Sequence, residues 1–225
     1  ANTFLVLANM RSLDLSYNLL NKLERSAFDG PAQWTLANLH LQNNGLKWQT
    51  LIDLMSKLYS LQELNLDFNK LARPKRTVQY YLENAATLNA SVIKLNLKSL
   101  SLQGNSLKSQ DLQMLAEPFK NQDYANFQMR LKYSYRMMDY GDARTEELGK
   151  YQRFSYPKLR RLNLARNKIT KLPRNFFTTA NMSKLEWLTM DRNPLESNRI
   201  SGDYFSGIEN SLTTLSMNNV GFNVW

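Results

Sequence analysis

Leu36-Ala37-Asn38-Leu39-His40-Leu41-Gln42-Asn43-Asn44 carries the pattern from which the rest of the chain can be read. Stripped to its skeleton it is Leu36-x-x-Leu39-x-Leu41-x-x-Asn44. The same skeleton returns at Leu61-x-x-Leu64-x-Leu66-x-x-Asn69, at Leu97, Leu100, Leu102 and Asn105, and at Leu159, Leu162, Leu164 and Asn167. Two further copies place Met in one apolar slot: Met10, Leu13, Leu15, Asn18 and Leu185, Leu188, Met190, Asn193. Six copies with the Asn in place exceed what composition alone would produce. A fixed period of this kind marks a solenoid, in which each repeat supplies one short strand and buries its apolar face only against its neighbours.

With the Asn slot as a ruler, copies fall at Asn18, Asn44, Asn69, Asn105, Asn167, Asn193 and a degenerate Val220, at intervals of 26, 25, 36, 62, 26 and 27. The interval of 62 is too long for one repeat and divides into 27 and 35 if Tyr124-x-x-Phe127-x-Met129-x-x-Lys132 is a worn copy. The expectation is one domain over 1–225 with about eight repeats, lengthened by inserts at 73–90 and 133–157. The second insert holds Tyr133, Tyr135, Tyr140, Tyr151 and Tyr156, a composition that suits packing over a flank.

Each L-x-L core reads as a strand, because alternation sends the leucines inward and the intervening side chains outward. The Asn ends the strand in a turn. Its amide lies among leucines, so backbone groups of its own and the adjacent repeat must satisfy it. An apolar residue follows it (Leu20, Leu46, Leu71, Leu107, Ile169, Leu195), and then the chain returns. Two returns read L-x-x-x-x-F, from Leu23 to Phe28 and from Leu172 to Phe177. Two others have helical spacing, Thr50–Tyr59 with Leu51, Leu54, Met55 and Leu58, and Gln110–Phe119.

These motifs resemble the leucine-rich repeat superfamily. Leu13-Asp14-Leu15-Ser16-Tyr17-Asn18 followed by Leu23 and Ala27-Phe28 is similar to its typical extracellular subfamily, as is Asn167-Lys168-Ile169 with Leu172-Pro173 and Phe176-Phe177. Tyr204-Phe205-Ser206-Gly207-Ile208-Glu209-Asn210-Ser211-Leu212 looks like a phrase of chaoptin-like adhesion proteins of animal cell surfaces. The resemblance implies an α/β solenoid: a horseshoe with a parallel concave β-sheet of about eight short strands and irregular or helical convex returns. It also implies binding on the concave face. The inserts and Val220 depart from the pattern.

Composition narrows function further. Cysteine is absent, which removes disulfides, thiolate metal sites and cysteine nucleophiles together. No apolar run is long enough to span a membrane, and the opening Ala-Asn-Thr-Phe-Leu-Val-Leu is too short and uncharged for a signal peptide. The first repeat begins part-way through a return, with Phe4, Leu7 and Met10, and no polar cap is evident at either end. A piece of a longer solenoid is expected. The enzyme signatures G-x-S-x-G, H-E-x-x-H, the P-loop and G-x-G-x-x-G are missing. The single histidine, His40, falls in the middle x of a strand, where it is expected on the solvent-facing surface. No enzyme activity, cofactor or metal is expected.

The formal charge is +10 and unevenly placed. Up to Lys70 there are six basic and six acidic residues; between Glu147 and Glu186 no carboxylate occurs, while Lys150, Arg153, Lys158, Arg160, Arg161, Arg166, Lys168, Lys171, Arg174 and Lys184 do. Such a run is either a solvated face or an anion-binding patch. Register gives the candidate binding residues: Arg160, Arg161, Asn163 and Arg166 in the sixth repeat, Trp187, Asp191 and Arg192 in the seventh together with Glu186 and Thr189, and His40, Asn65 and Phe68 earlier. Trp187 beside Arg161 and Arg192 is the prime candidate, because Trp and Arg dominate binding energy at interfaces. Tyr17 and Phe68 precede the Asn, where an aromatic side chain can serve the repeat itself. Asn89-Ala90-Ser91 and Asn181-Met182-Ser183 are glycosylation sequons.

The leading expectation is a non-enzymatic protein-binding module from an adhesion or receptor ectodomain at the cell surface. The alternatives are a polyanion binder acting through the basic 150–174 surface, and an intracellular scaffold. For the polyanion, a sulfated glycan suits the extracellular reading better than nucleic acid, for which the chain lacks a motif of stacked aromatics.

Overall fold

The computed structural model describes residues 4, 6–24, 26–72, 92–116, 153–196 and 202–221. Among them run nine strands of three residues: β1 (Ser12–Asp14), β2 (Asn38–His40), β3 (Glu63–Asn65), β4 (Val92–Lys94), β5 (Ser99–Ser101), β6 (Arg153–Ser155), β7 (Arg161–Asn163), β8 (Trp187–Thr189) and β9 (Thr214–Ser216). Seven form one parallel sheet in the order β1-β2-β3-β5-β7-β8-β9. Each is the L-x-L core of one repeat, and the inner leucines align in a row: Leu13, Leu39, Leu64, Leu100, Leu162, Leu188 and Leu215. A three-residue strand is too short to persist alone, so the stacking of repeats holds it.

Against about eight strands expected, the described residues place seven in this sheet. β5 and β7 are hydrogen-bonded neighbours in direct register, Leu100 opposite Leu162, which leaves no place for a strand between them. The proposed worn copy at Tyr124–Lys132 lies outside the described residues, as does the insert at 73–90. The interval of 62 is therefore a single step along the sheet.

The end of the second insert is also reassigned. β6 pairs in parallel with β4, Ile93 opposite Phe154, in a separate two-stranded sheet. Phe154 and Tyr156 are fully buried, and the Tyr156 hydroxyl donates to the carbonyl of Leu115 at 2.8 Å. Burial pushes that hydroxyl well above the ordinary tyrosine range, which keeps it a donor. These residues are core rather than a covering flap.

The asparagine ladder meets the requirement read from the sequence. The side-chain oxygen of each Asn accepts the backbone N–H of the apolar residue that follows the preceding Asn: Leu20 to Asn44 at 3.0 Å, Leu46 to Asn69 at 3.0 Å, Leu71 to Asn105 at 3.3 Å, Leu107 to Asn167 at 3.0 Å and Ile169 to Asn193 at 3.1 Å. Its Nδ2 donates to carbonyls of both repeats, as Asn167 does to Leu164 at 2.9 Å and Leu102 at 3.0 Å. Val220 occupies the next slot, is buried, and has no amide to offer. The N–H of Leu195 turns instead to the carbonyl of Asn193 at 2.9 Å.

The returns pack the other side of the core. The helix Trp48–Lys57 begins two residues before the helical spacing suggests and buries Trp48, Leu51, Ile52, Leu54 and Met55. The helix Ser109–Ala116 matches the second helical return. In the L-x-x-x-x-F returns Phe28 and Phe177 are buried; Phe28 stacks on Phe4 at 5.4 Å, and the second return includes a short helix, Phe176–Thr179.

Candidate binding surface

The outward residues of the seven strands form straight rows, because the strands run in direct register. One row reads Ser12, Asn38, Glu63, Ser99, Arg161, Trp187, Thr214; the next reads Asp14, His40, Asn65, Ser101, Asn163, Thr189, Ser216. Arg161 and Trp187 thus stand side by side on adjacent strands. With Glu186, Thr213 and Thr214 they line an open cleft of about 410 Å³. Arg161 is exposed and Trp187 half-buried, so the indole keeps a free surface beside a cation. Large aromatic and guanidinium groups in such a setting are the side chains that dominate protein interfaces.

Other candidates are tied into the sheet. The side-chain oxygen of Asn65 accepts the N–H of Asp67 at 2.9 Å, and that of Asn163 accepts the N–H of Ala165 at 3.0 Å, each a local turn. Asn163 also donates to Gln103 at 3.1 Å. Asp191 accepts the Ser216 hydroxyl at 2.7 Å and the Asn218 N–H at 2.8 Å. Burial pulls its carboxyl upward, but these hydrogen bonds outweigh that pull and hold it below the usual range. Asp67 makes the equivalent bonds, to Ser101 at 2.6 Å and Gln103 at 2.7 Å. There deeper burial wins and its carboxyl lies above the usual range.

Thr189 and Arg160 differ from expectation, and His40 is less open than its register alone suggests. His40 stands on the outward face as expected, though half-buried between Asp14 and Asn65 of the flanking strands. Thr189 is buried between its register partners Asn163 and Ser216. Arg160 is not a free cation: it forms an ion pair with Glu186 of the adjacent repeat, a carboxylate just beyond the acid-free interval.

The residue before each Asn slot has a conformation that sequence reasoning missed. Tyr17, Asn43, Phe68, Arg166, Arg192 and Asn219 have φ between 54° and 55°, and Gly104 has φ 67°. This left-handed kink turns the chain out of the strand and projects Arg166 and Arg192 from the rim of the sheet, both exposed. It also explains the glycine. A Cβ on Gly104 would meet the ring of Phe68 at 2.5 Å, so Phe68 covers the neighbouring repeat while remaining 41% exposed. Tyr17 has no such role in view: it is 76% exposed.

The basic interval is divided between two surfaces. Arg160, Arg161 and Arg166 lie along the sheet, whereas Lys168, Lys171 and Arg174 line a flank groove with Lys108. Of the sequons, Asn89 lies outside the described residues. Asn181 is exposed in the turn after Phe176–Thr179, and its Nδ2 donates to the Ser155 hydroxyl at 3.0 Å. Among the described residues no group of three or more His, Asp or Glu could hold a metal ion, and no helix is long and apolar enough to cross a membrane.

Comparison with known proteins agrees with this architecture. A family model described as Leucine Rich Repeat matches residues 158–179, the L-x-L core at β7 and its return. Chaoptin of Drosophila melanogaster is 26% identical over 211 residues, which cover 93% of this chain and 15% of that protein. Both likenesses support a leucine-rich repeat assignment for the chain. It spans about 15% of the length of the relative it matches.

Proposed function

We propose that the chain is a single non-enzymatic repeat domain that binds a protein partner through the outward face of its sheet, as part of an adhesion or receptor protein at the cell surface. The observation that carries this reading is the juxtaposition of Arg161 and Trp187 over an open cleft, on neighbouring strands toward the β9 end of the parallel sheet. Arg166 and Arg192 at the rim add positive charge that would steer an acidic partner toward the face. The cell-surface assignment rests on the likeness to Chaoptin over nearly the whole chain and on the extracellular type of its returns. In the same reading Asn181, exposed in a turn, carries an N-linked glycan. Peptide mass spectrometry of protein secreted from animal cells checks this, and an unmodified Asn181 would count against it.

The binding surface is tested with beads bearing the full chain, presented to intact animal cells. On cells first cleared enzymatically of surface sulfated glycans, attachment should remain, and it should vanish when surface proteins are then stripped with trypsin. Trp187→Ala should reduce attachment by roughly tenfold or more, the effect of losing an interface anchor. Attachment of Trp187→Ala at the wild-type level would remove the strand face from consideration.

A further inference from the structure

A second surface has a different chemistry. On the flank, the turn that follows Asn105 and starts the helix Ser109–Ala116 meets the turn that follows Asn167 and the 3₁₀ turn Gly202–Phe205. They enclose a groove of about 1080 Å³. Among the described lining residues Lys108, Lys168, Lys171 and Arg174 stand against one carboxylate, Asp203, with Glu196 near enough to act on the Tyr204 hydroxyl. Lys108 and Lys168 face each other in a parallel bridge, so two like charges stand on adjacent chain segments. Among the described residues none of the four cations is ion-paired, in contrast to Arg160 on the strand face. An excess of positive charge concentrated in a concavity is the arrangement that attracts and retains an anion.

The local hydrogen bonds indicate what kind of anion fits. A single phosphate would be gripped by converging backbone donors. Here those donors are already used: the N–H groups of Thr170 and Lys171 bond to the Ser109 hydroxyl at 3.1 and 3.0 Å, and that of Leu172 bonds to the Tyr204 hydroxyl at 2.8 Å. What remains is long cationic side chains, hydroxyls and amides around a volume far larger than one small ion. A single-stranded nucleic acid would need aromatic platforms for successive bases, and Tyr204, half-buried and anchored to Leu172, is the one aromatic ring in the described lining. A linear chain with spaced anions and many hydroxyls matches the groove best.

We propose that this flank groove binds a sulfated oligosaccharide, with Lys108, Lys168, Lys171 and Arg174 holding its sulfate groups. The site is separate from the strand face and does not depend on the protein-docking reading. The test uses the whole chain in solution with a heparin-derived octasaccharide, the same sugar without its sulfates, and oligothymidine of similar charge. The sulfated sugar should bind and weaken steeply with salt, while the unsulfated sugar should not bind. Lys168→Glu combined with Lys171→Glu should lower affinity by roughly tenfold or more and flatten the salt dependence, because two ionic contacts are lost. Lys168→Gln with Lys171→Gln should give a smaller loss in the same direction. Both lysines are exposed, so thermal unfolding should stay as in the parent chain. Arg166→Glu with Arg192→Glu, on the strand face, should change affinity by less than about twofold. An unchanged affinity in the groove variants, an equal loss in the face variants, or oligothymidine binding as tightly as the sulfated sugar would each overturn the proposal.

Discussion

Asn105 shows how much one side chain does in a stacked fold. It is buried, yet its oxygen accepts the N–H groups of Asn69 and Leu71 at 3.1 and 3.3 Å, and its Nδ2 donates to Leu66 at 2.9 Å and Gln103 at 3.2 Å. Leucine has the same number and branching of side-chain heavy atoms and would suit the apolar surroundings, but it would orphan those backbone groups. Each buried group left unpaired costs about 1–3 kcal/mol. Asn105→Leu should therefore lose on the order of 3 kcal/mol in urea unfolding, despite adding apolar surface. A loss below about 1 kcal/mol would mean that water or backbone shifts replace the amide. The repeated Asn already declared this role in the sequence. The left-handed residue before it did not. Tyr, Asn, Phe, Gly and Arg all occupy that position, so no side-chain pattern marks it, and only the backbone path of the finished turn reveals it.

At the scale of elements, the strands were legible and the pairing across the long interval was not. Leucine alternation locates β5 and β7, but their sequence separation suggests an intervening repeat. The small sheet of β4 and β6 was hidden for the opposite reason. Val92-Ile93-Lys94 and Arg153-Phe154-Ser155 share no motif, and they meet because the adjacent returns run parallel. Tyr156, just beyond β6, joins this layer to the helix Ser109–Ala116 through its bond to Leu115. Tyr156→Phe keeps the ring and leaves that carbonyl without its donor. A loss of about 1–3 kcal/mol is expected, measured by denaturant unfolding. Hydrogen exchange at the helix should quicken in parallel. If the helix amides stay as protected as before, the hydroxyl does not couple the two elements.

At the scale of the molecule, stability is a sum over neighbouring repeats. Leu100 and Leu215 occupy the same slot, but Leu100 is 1% exposed between two flanking strands and Leu215 is 41% exposed in β9, which pairs with β8 alone among the described strands. Leu100→Ala should cost about 2–5 kcal/mol and Leu215→Ala less than about 1 kcal/mol. Equilibrium unfolding of the two variants checks this, and equal losses would contradict a nearest-neighbour solenoid. Charge follows the same division between local and global. The basic interval is visible as a run of residues, but its fate depends on the turn at Asn167. That turn leaves Arg160, Arg161 and Arg166 along the sheet and carries Lys168, Lys171 and Arg174 to the flank.

The sequence by itself determined the repeat, the inward leucines, the asparagine ladder and the rows of outward residues. These follow from periodicity, which is a local property of the chain and needs no knowledge of its partners in space. Only the tertiary structure decided that seven of the described strands form one sheet, that Arg160 is neutralised by Glu186, that an open cleft lies at Arg161 and Trp187, and that four cations converge on the flank. Those outcomes depend on contacts between residues of different repeats, where register and turn geometry, rather than composition, determine which side chains become neighbours.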